Sequence, residues 1–215
     1  MGVTERPRDS ATLILVRRDG ATNRILMGQR HGAHAFMPNK FVFPGGRFDA
    51  ADSRAKTVRE LDAAVMAKLM ARMRGRPSRS RARGLAITAL RETLEETGLL
   101  VGRRNPDEAP DLSGLIYFAR AITPPGRSRR FDSRFFVADA AQVSNLDAPP
   151  HDGSGELLTL KWFSLEEIFD LDLASITKDI LMRLQPYLDR GELPPPDCAV
   201  SFQFWRGSSW KVETI

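Results

Sequence analysis

Apolar positions recur along this chain in two rhythms. Short apolar runs over residues 12–17 and 24–29 flank the Asp19-Gly20 pair, which predicts two strands joined by a turn. Residues 41–43 predict a third short strand that breaks into a turn at Gly45-Gly46. Val58, Leu61, Val65, Leu69 and Met73 recur at steps of three and four and predict an amphipathic helix, ended by Gly75 and Pro77. A basic loop over 76–83 then leads into a second helix. There Ile87, Leu90 and Leu94 fall opposite Glu92, Glu95 and Glu96, and Gly98 supplies the stop. Residues 115–122 and 133–138 predict strands around Pro124-Pro125-Gly126, and 157–163 another. Ser164 with Glu167 three residues on predicts a capping box for a short helix, and 176–188 a further amphipathic helix with Pro186 late in it. A C-terminal extension from about residue 190 opens on Pro194-Pro195-Pro196 and holds Phe202, Phe204, Trp205 and Trp210. No internal repeat is visible.

The glutamate-bearing helix is the most telling of these elements. Like charges one turn apart cost roughly 0.2–0.5 kcal/mol per pair, so stability alone disfavours such a cluster. A hard divalent cation reverses the sign, because Mg²⁺ and Mn²⁺ take carboxylate oxygens as ligands. The bland alternative is a solvated acidic helix face.

Arg91-Glu92, Glu95-Glu96, Gly98 and Leu99, with Gly46 upstream, resemble the signature of the Nudix hydrolase family, G-x5-E-x7-R-E-U-x-E-E-x-G-U with U aliphatic. Three departures stand out. Asp52 occupies the place of the first glutamate, Thr93 replaces an aliphatic residue, and 38 residues separate Asp52 from Arg91 where the family has seven. The resemblance implies an α/β fold, the Nudix-type α/β/α sandwich with a mixed sheet, here with an inserted amphipathic helix. The expectation is a single domain over 1–215, with the insertion at 53–83. It also implies hydrolysis of nucleoside diphosphates linked to another group. Glu92, Glu95 and Glu96 would be metal ligands for Mg²⁺ or Mn²⁺, Glu96 foremost. Arg91 would orient Glu92 or Glu95, and Glu95 would share in catalysis. Gly45 and Gly46 would let backbone pass close to metal and phosphates, with Arg47 beside them on the substrate. Many members add an acidic residue from a distant loop; Glu156 is the candidate here, with Asp139 and Asp147 as alternatives.

Composition narrows the setting. The 215 residues are 42% hydrophobic, ordinary for a globular domain with a proper core. One cysteine, Cys198, excludes an intrachain disulfide and fits a reducing compartment. The N-terminus does not read as a secretory leader and no stretch is long enough to span a membrane, so a cytoplasmic protein is expected. Net charge is +5, yet residues 53–83 carry ten Lys and Arg against Glu60 and Asp62, a local +8 that leaves −3 elsewhere. Three readings of that segment stand side by side: a lid or clamp whose arginines hold outer phosphates, a homodimer contact made by its helix, or a solvated decoration. No aromatic residue interleaves its arginines, which counts against nucleic acid as partner. His31 and His34 read as loop residues.

For the substrate, a further resemblance is to the coenzyme A diphosphatases, whose pattern L-L-T-x-R-[SA]-x3-R-x3-G-x3-F-P-G-G aligns on Phe43-Pro44-Gly45-Gly46. Its first arginine falls on Arg30; its second falls on Ala35 and its glycine on Asn39, so both are missing. Coenzyme A or an acyl-CoA is therefore the favoured small-molecule nucleotide. ADP-ribose, NADH and dinucleoside polyphosphates are rivals, as is a non-catalytic nucleotide-sensing module.

Overall fold

In the computed structural model, which describes residues 5–32, 37–151 and 155–215, one mixed sheet is sandwiched between helices. The strands are β1 (Arg8–Arg17), β2 (Arg24–Arg30), β3 (Phe41–Val42), β4 (Gly45–Arg47), β5 (Ile116–Ile122), β6 (Phe131–Asp139), β7 (Leu157–Ser164), β8 (Ser201–Arg206) and β9 (Ser209–Thr214). Their order is β3-β2-β1-β6-β5-β8-β9, with β4 also on β1 and β7 also on β2. The β1–β6 and β5–β8 pairs are parallel and the rest antiparallel.

The two-residue alternation of β1 divides the core. Leu13 and Leu15 join one apolar cluster with residues of α1 (Ala63–Ala71) and α2 (Arg79–Thr97). Ile14 and Val16 face the opposite cluster, built with Ile180, Leu181 and Leu184 of α4 (Ser175–Leu188). Burial on both faces explains why β1 reads as a near-continuous apolar run. The short α3 (Leu165–Phe169) carries the expected capping box of Ser164 and Glu167.

Several boundaries differ from those the pattern predicts. Gly45-Gly46 is not a turn: the two glycines pair with Ala11 and Thr12 as strand β4. The helix expected from Val58 begins only at Ala63, where the Asp62 carboxylate accepts the Ala64 N–H at 2.7 Å; Val58 is 63% exposed. Residues 79–83, expected as loop, are the first turn of α2, capped by Ser78, whose Oγ accepts the Arg81 N–H. The C-terminal extension is a β8–β9 hairpin that widens the sheet.

The basic segment is also spent differently. Val65, Met66 and Leu69 of α1 are buried in the chain's own core, which removes its apolar face from a dimer contact. Six of the ten cations in 53–83 are engaged within the molecule. Arg59 binds Asp111, Arg72 binds Glu213, Arg81 binds Asp9 and Arg83 binds Glu60, while Lys68 donates to the Cys198 carbonyl and Arg74 to that of Pro7. Below them lies a buried network. Arg120 grips Asp132 through two 2.8 Å bonds and donates to the Arg72 carbonyl; Arg134 meets Asp9 at 2.6 Å. The segment is thus tied to the sheet by its charges, because guanidinium groups at a half-buried junction find carboxylates and carbonyls rather than water.

Candidate active site

The C-terminal half of α2 lies over β4, and the two glycines of that strand make the approach possible. A Cβ on Gly46 would stand 2.3 Å from the Glu92 carboxyl carbon; one on Gly45 would stand 2.5 Å from the Ala11 carbonyl oxygen. The Gly45 N–H donates to Glu96 at 2.8 Å. Two carboxylates one helical turn apart are therefore each laid against a different glycine of one short strand.

The three glutamates do not share one environment. Glu96 is 3% exposed and Glu92 largely buried, whereas the Glu95 side chain is 52% exposed and drawn aside by Arg91 at 3.0 Å. Among the described residues no three acidic, histidine or cysteine side chains stand in ligand geometry. Burial pushes the Glu96 carboxyl up to about 8; the Gly45 N–H and Arg30 oppose the shift, and the charges of Glu92 and Glu156 add to it. Burial also raises Glu92, against the pull of Arg91. A desolvated pair of carboxylates, with hard oxygen donors only, suits a divalent cation, which would remove the repulsion.

Arg91 is the hub. It reaches Glu92 at 2.9 Å, Glu95 at 3.0 Å and both oxygens of Asp52 at 3.1 Å, and it donates to the Arg47 carbonyl. Burial works against its charge, but Asp52, Glu92 and Glu95 outweigh that and raise its pKa. Asp52 is 4% exposed, held in addition by the Thr88 hydroxyl at 2.7 Å and the Asp49 N–H at 3.2 Å. Gly84, one turn before Thr88, allows this: a Cβ there would meet Phe48 at 2.8 Å and the Ser53 nitrogen at 2.9 Å. Thr88 and Gly84 carry no signal of their own in the sequence; only the α2–loop contact reveals them. Thr93, at the position where the resemblance expects an aliphatic residue, is fully buried with its hydroxyl donating to the Ala89 carbonyl at 2.7 Å.

Arg47, Asp49, Asp52, Arg91, Glu92 and Glu95 line a cleft of about 540 Å³. Arg30 ends β2 opposite Leu157, next to Glu156, and the charges of both act on Glu96. Glu156 is exposed at that end of β7. The alternatives lie elsewhere: Asp139 binds Arg18, and the Asp147 charge acts on Arg17. His31 is in a loop, as expected; His34 and Ala35 lie outside the described residues.

No family model matches the chain. It is 27% identical over 220 residues to "Putative nudix hydrolase 7" of Caenorhabditis elegans, an alignment that takes in 90% of this chain and 59% of that protein. The chain thus spans less than two thirds of the length of this curated relative. Among solved structures, a NUDIX hydrolase from Alicyclobacillus acidocaldarius superposes with a TM-score of 0.62 at 24% identity, over 82% of this chain and 90% of its own. The NUDIX domain of Shewanella oneidensis NrtR, crystallised with ADP-ribose, superposes with a TM-score of 0.54 at 13% identity, over 86% and 90%. At such identities the likeness establishes the fold, and the fold is that of the Nudix hydrolases.

Proposed function

We propose, from this Nudix fold, that the chain is a metal-dependent pyrophosphohydrolase that cleaves the diphosphate bond of a nucleoside diphosphate joined to another moiety. The observation that carries the reading is the cleft over β4. Four carboxylates line it against two guanidinium groups, and Glu96, one helical turn from Glu92, is buried against Gly45 of β4. Such a cavity repels a pyrophosphate on its own and receives one together with cations.

Glu92 and Glu96 would hold Mg²⁺ or Mn²⁺, with Glu95 contributing from the rim. When bound, the ion neutralises pyrophosphate charge and lowers the pKa of a coordinated water. Arg91 fixes the directions of Glu92 and Glu95 and is itself fixed by Asp52, so the carboxylates are set before substrate arrives. Gly45 and Gly46 let the Glu96 and Glu92 carboxylates lie directly against β4. Arg30 and Arg47 would meet phosphate oxygens, and Glu156 would accept a proton from the attacking water.

Within this class the favoured substrate is coenzyme A or an acyl-CoA. Its support is Arg30 and the Phe43–Gly46 pattern, since six cations of the basic segment are already engaged within the molecule. The ADP-ribose complex of the Shewanella domain favours a second reading, ADP-ribose or NADH. The test is product chromatography after incubation with Mg²⁺ or Mn²⁺ and a panel of coenzyme A, acetyl-CoA, ADP-ribose, NADH and diadenosine polyphosphates. Release of 3′,5′-ADP and phosphopantetheine ahead of other products supports coenzyme A; preference for ADP-ribose keeps the chemistry and discards that substrate. Silence across the panel, with nucleotide still raising Tm, would replace hydrolysis with sensing.

A further inference from the structure

Among the described residues the sheet ends at β9, which pairs with β8 alone. Val200 and Ile215, just beyond the two strands, exchange both main-chain hydrogen bonds, at 3.1 and 3.0 Å. In an antiparallel ladder such bonded pairs alternate with pairs that make none. From the register, Phe202–Glu213, Phe204–Lys211 and Arg206–Ser209 are the bonded pairs. Trp210, Val212 and Thr214 therefore turn their N–H and C=O groups to the open edge. The side chains alternate as well. Lys211 and Glu213 share the face of Phe204 and Phe202, where Glu213 meets Arg72 at 2.7 Å. Trp210, 47% exposed, and Val212, 64% exposed, lie on the other face, with Trp210 edge-on to Trp205 at 5.7 Å.

We propose that β9 pairs with β9 of a second copy of this chain, antiparallel about a twofold axis through Val212. Three properties of the strand are self-complementary in that one register. Val212 opposes Val212 and Trp210 opposes Thr214, so every outward N–H finds an outward carbonyl. Lys211 of each copy stands across from Glu213 of the other, which makes two opposite-charge pairs at the close, non-bonded positions of the ladder. On the opposite face, Trp210 and Val212 of both copies form one apolar stripe across the seam. A register shifted by one residue would set open-edge N–H and C=O groups opposite residues whose own groups are already bonded to β8, and would lose all three. A lone edge lysine blunts aggregation in many sheets; here its counter-charge sits two residues away, at the spacing a twofold requires. The seam is one strand wide, so the dimer is weak and depends on concentration. No residue lining the cleft over β4 lies on β8 or β9, so the proposal stands apart from the proposed hydrolysis.

The test is sedimentation equilibrium of the full chain over a concentration series, with folding of each variant checked by circular dichroism. Lys211→Glu and Glu213→Lys each place like charges at both positions of their own homodimer and should weaken self-association about tenfold or more. Mixed together, they restore both opposite-charge pairs, and the mixture should recover the wild-type Kd. Val212→Pro removes the central outward N–H without touching a bond to β8 and should give a monomer. A wild-type chain that is monomeric throughout, or larger than a dimer, overturns the proposal. So do variants that associate like the wild type, or a mixture that stays monomeric.

Discussion

Glu96 and Glu92 lie one helical turn apart against Gly45 and Gly46, and the chemistry of each follows from how deeply it is set. Glu96 is buried and accepts the Gly45 N–H, and burial is the largest cause of its raised pKa. Glu96→Gln keeps shape and hydrogen bonding but loses the charge that would bind metal. Turnover should fall beyond the roughly 10–100-fold expected for an outer partner, with Tm unchanged or higher; full activity in this variant would sink the metal-site reading. Arg91→Lys should cost roughly 10–100-fold in kcat/KM, because an ammonium cannot span Asp52, Glu92 and Glu95 together. Gly46→Ala puts a methyl into the Glu92 carboxylate. Its signature should be metal affinity lost by more than stability, measured by titration calorimetry against thermal melts.

The elements are positioned by contacts between segments distant in sequence. α2 is held to the 48–54 loop by Gly84, Thr88 and Arg91, which recur on one face at steps of four and three. Thr88→Val is nearly isosteric but leaves the buried Asp52 short of a donor. It should destabilise by about 1–3 kcal/mol in urea titration, with Thr88→Ser recovering most of the loss. α1 packs into the core through Val65, Met66 and Leu69. Leu69→Ala should therefore cost about 2–5 kcal/mol irrespective of protein concentration; a loss that vanished on dilution would return α1 to a contact between copies.

Across the molecule, the buried network of Asp9, Arg81, Arg134, Arg120 and Asp132 joins β1, β5, β6 and the start of α2. Burial alone would raise the Asp9 carboxyl; Arg134 and Arg81 more than offset it, and its pKa is lowered in the folded state. A lowered folded pKa means stability present above the unfolded value of 3.8 and lost as pH falls through the folded one. Unfolding free energy should drop with acid below that point. In Asp9→Asn the drop should be shallower, because the linked proton is gone; equal slopes would show that Asp9 is not the linked group.

The sequence by itself determined what local spacing encodes. The glutamates of α2, the Gly98 stop with its φ of 70°, the Ser164 capping box and the two-faced strands were legible because each depends on residues within one or two turns of one another. The candidate site was legible as far as Arg91, Glu92 and Glu96. What only the tertiary structure decided is what those groups meet. The spacing places Glu95 beside Glu92 and Glu96, and its turn toward Arg91 follows from Asp52 fixing that arginine from 39 residues away. Gly45-Gly46 looked like a turn because two glycines in isolation favour one; pairing with β1 made them a strand. The arginines of 53–83 left a phosphate clamp, a dimer contact and a solvated face open side by side, because charge along a chain says nothing of the carboxylates opposite it. Asp9, Asp111 and Glu213 are brought to them only by the closed sheet. Local spacing sets which groups share a face, while burial, partner and charge balance come from contacts between distant segments, and these the sequence pattern does not carry.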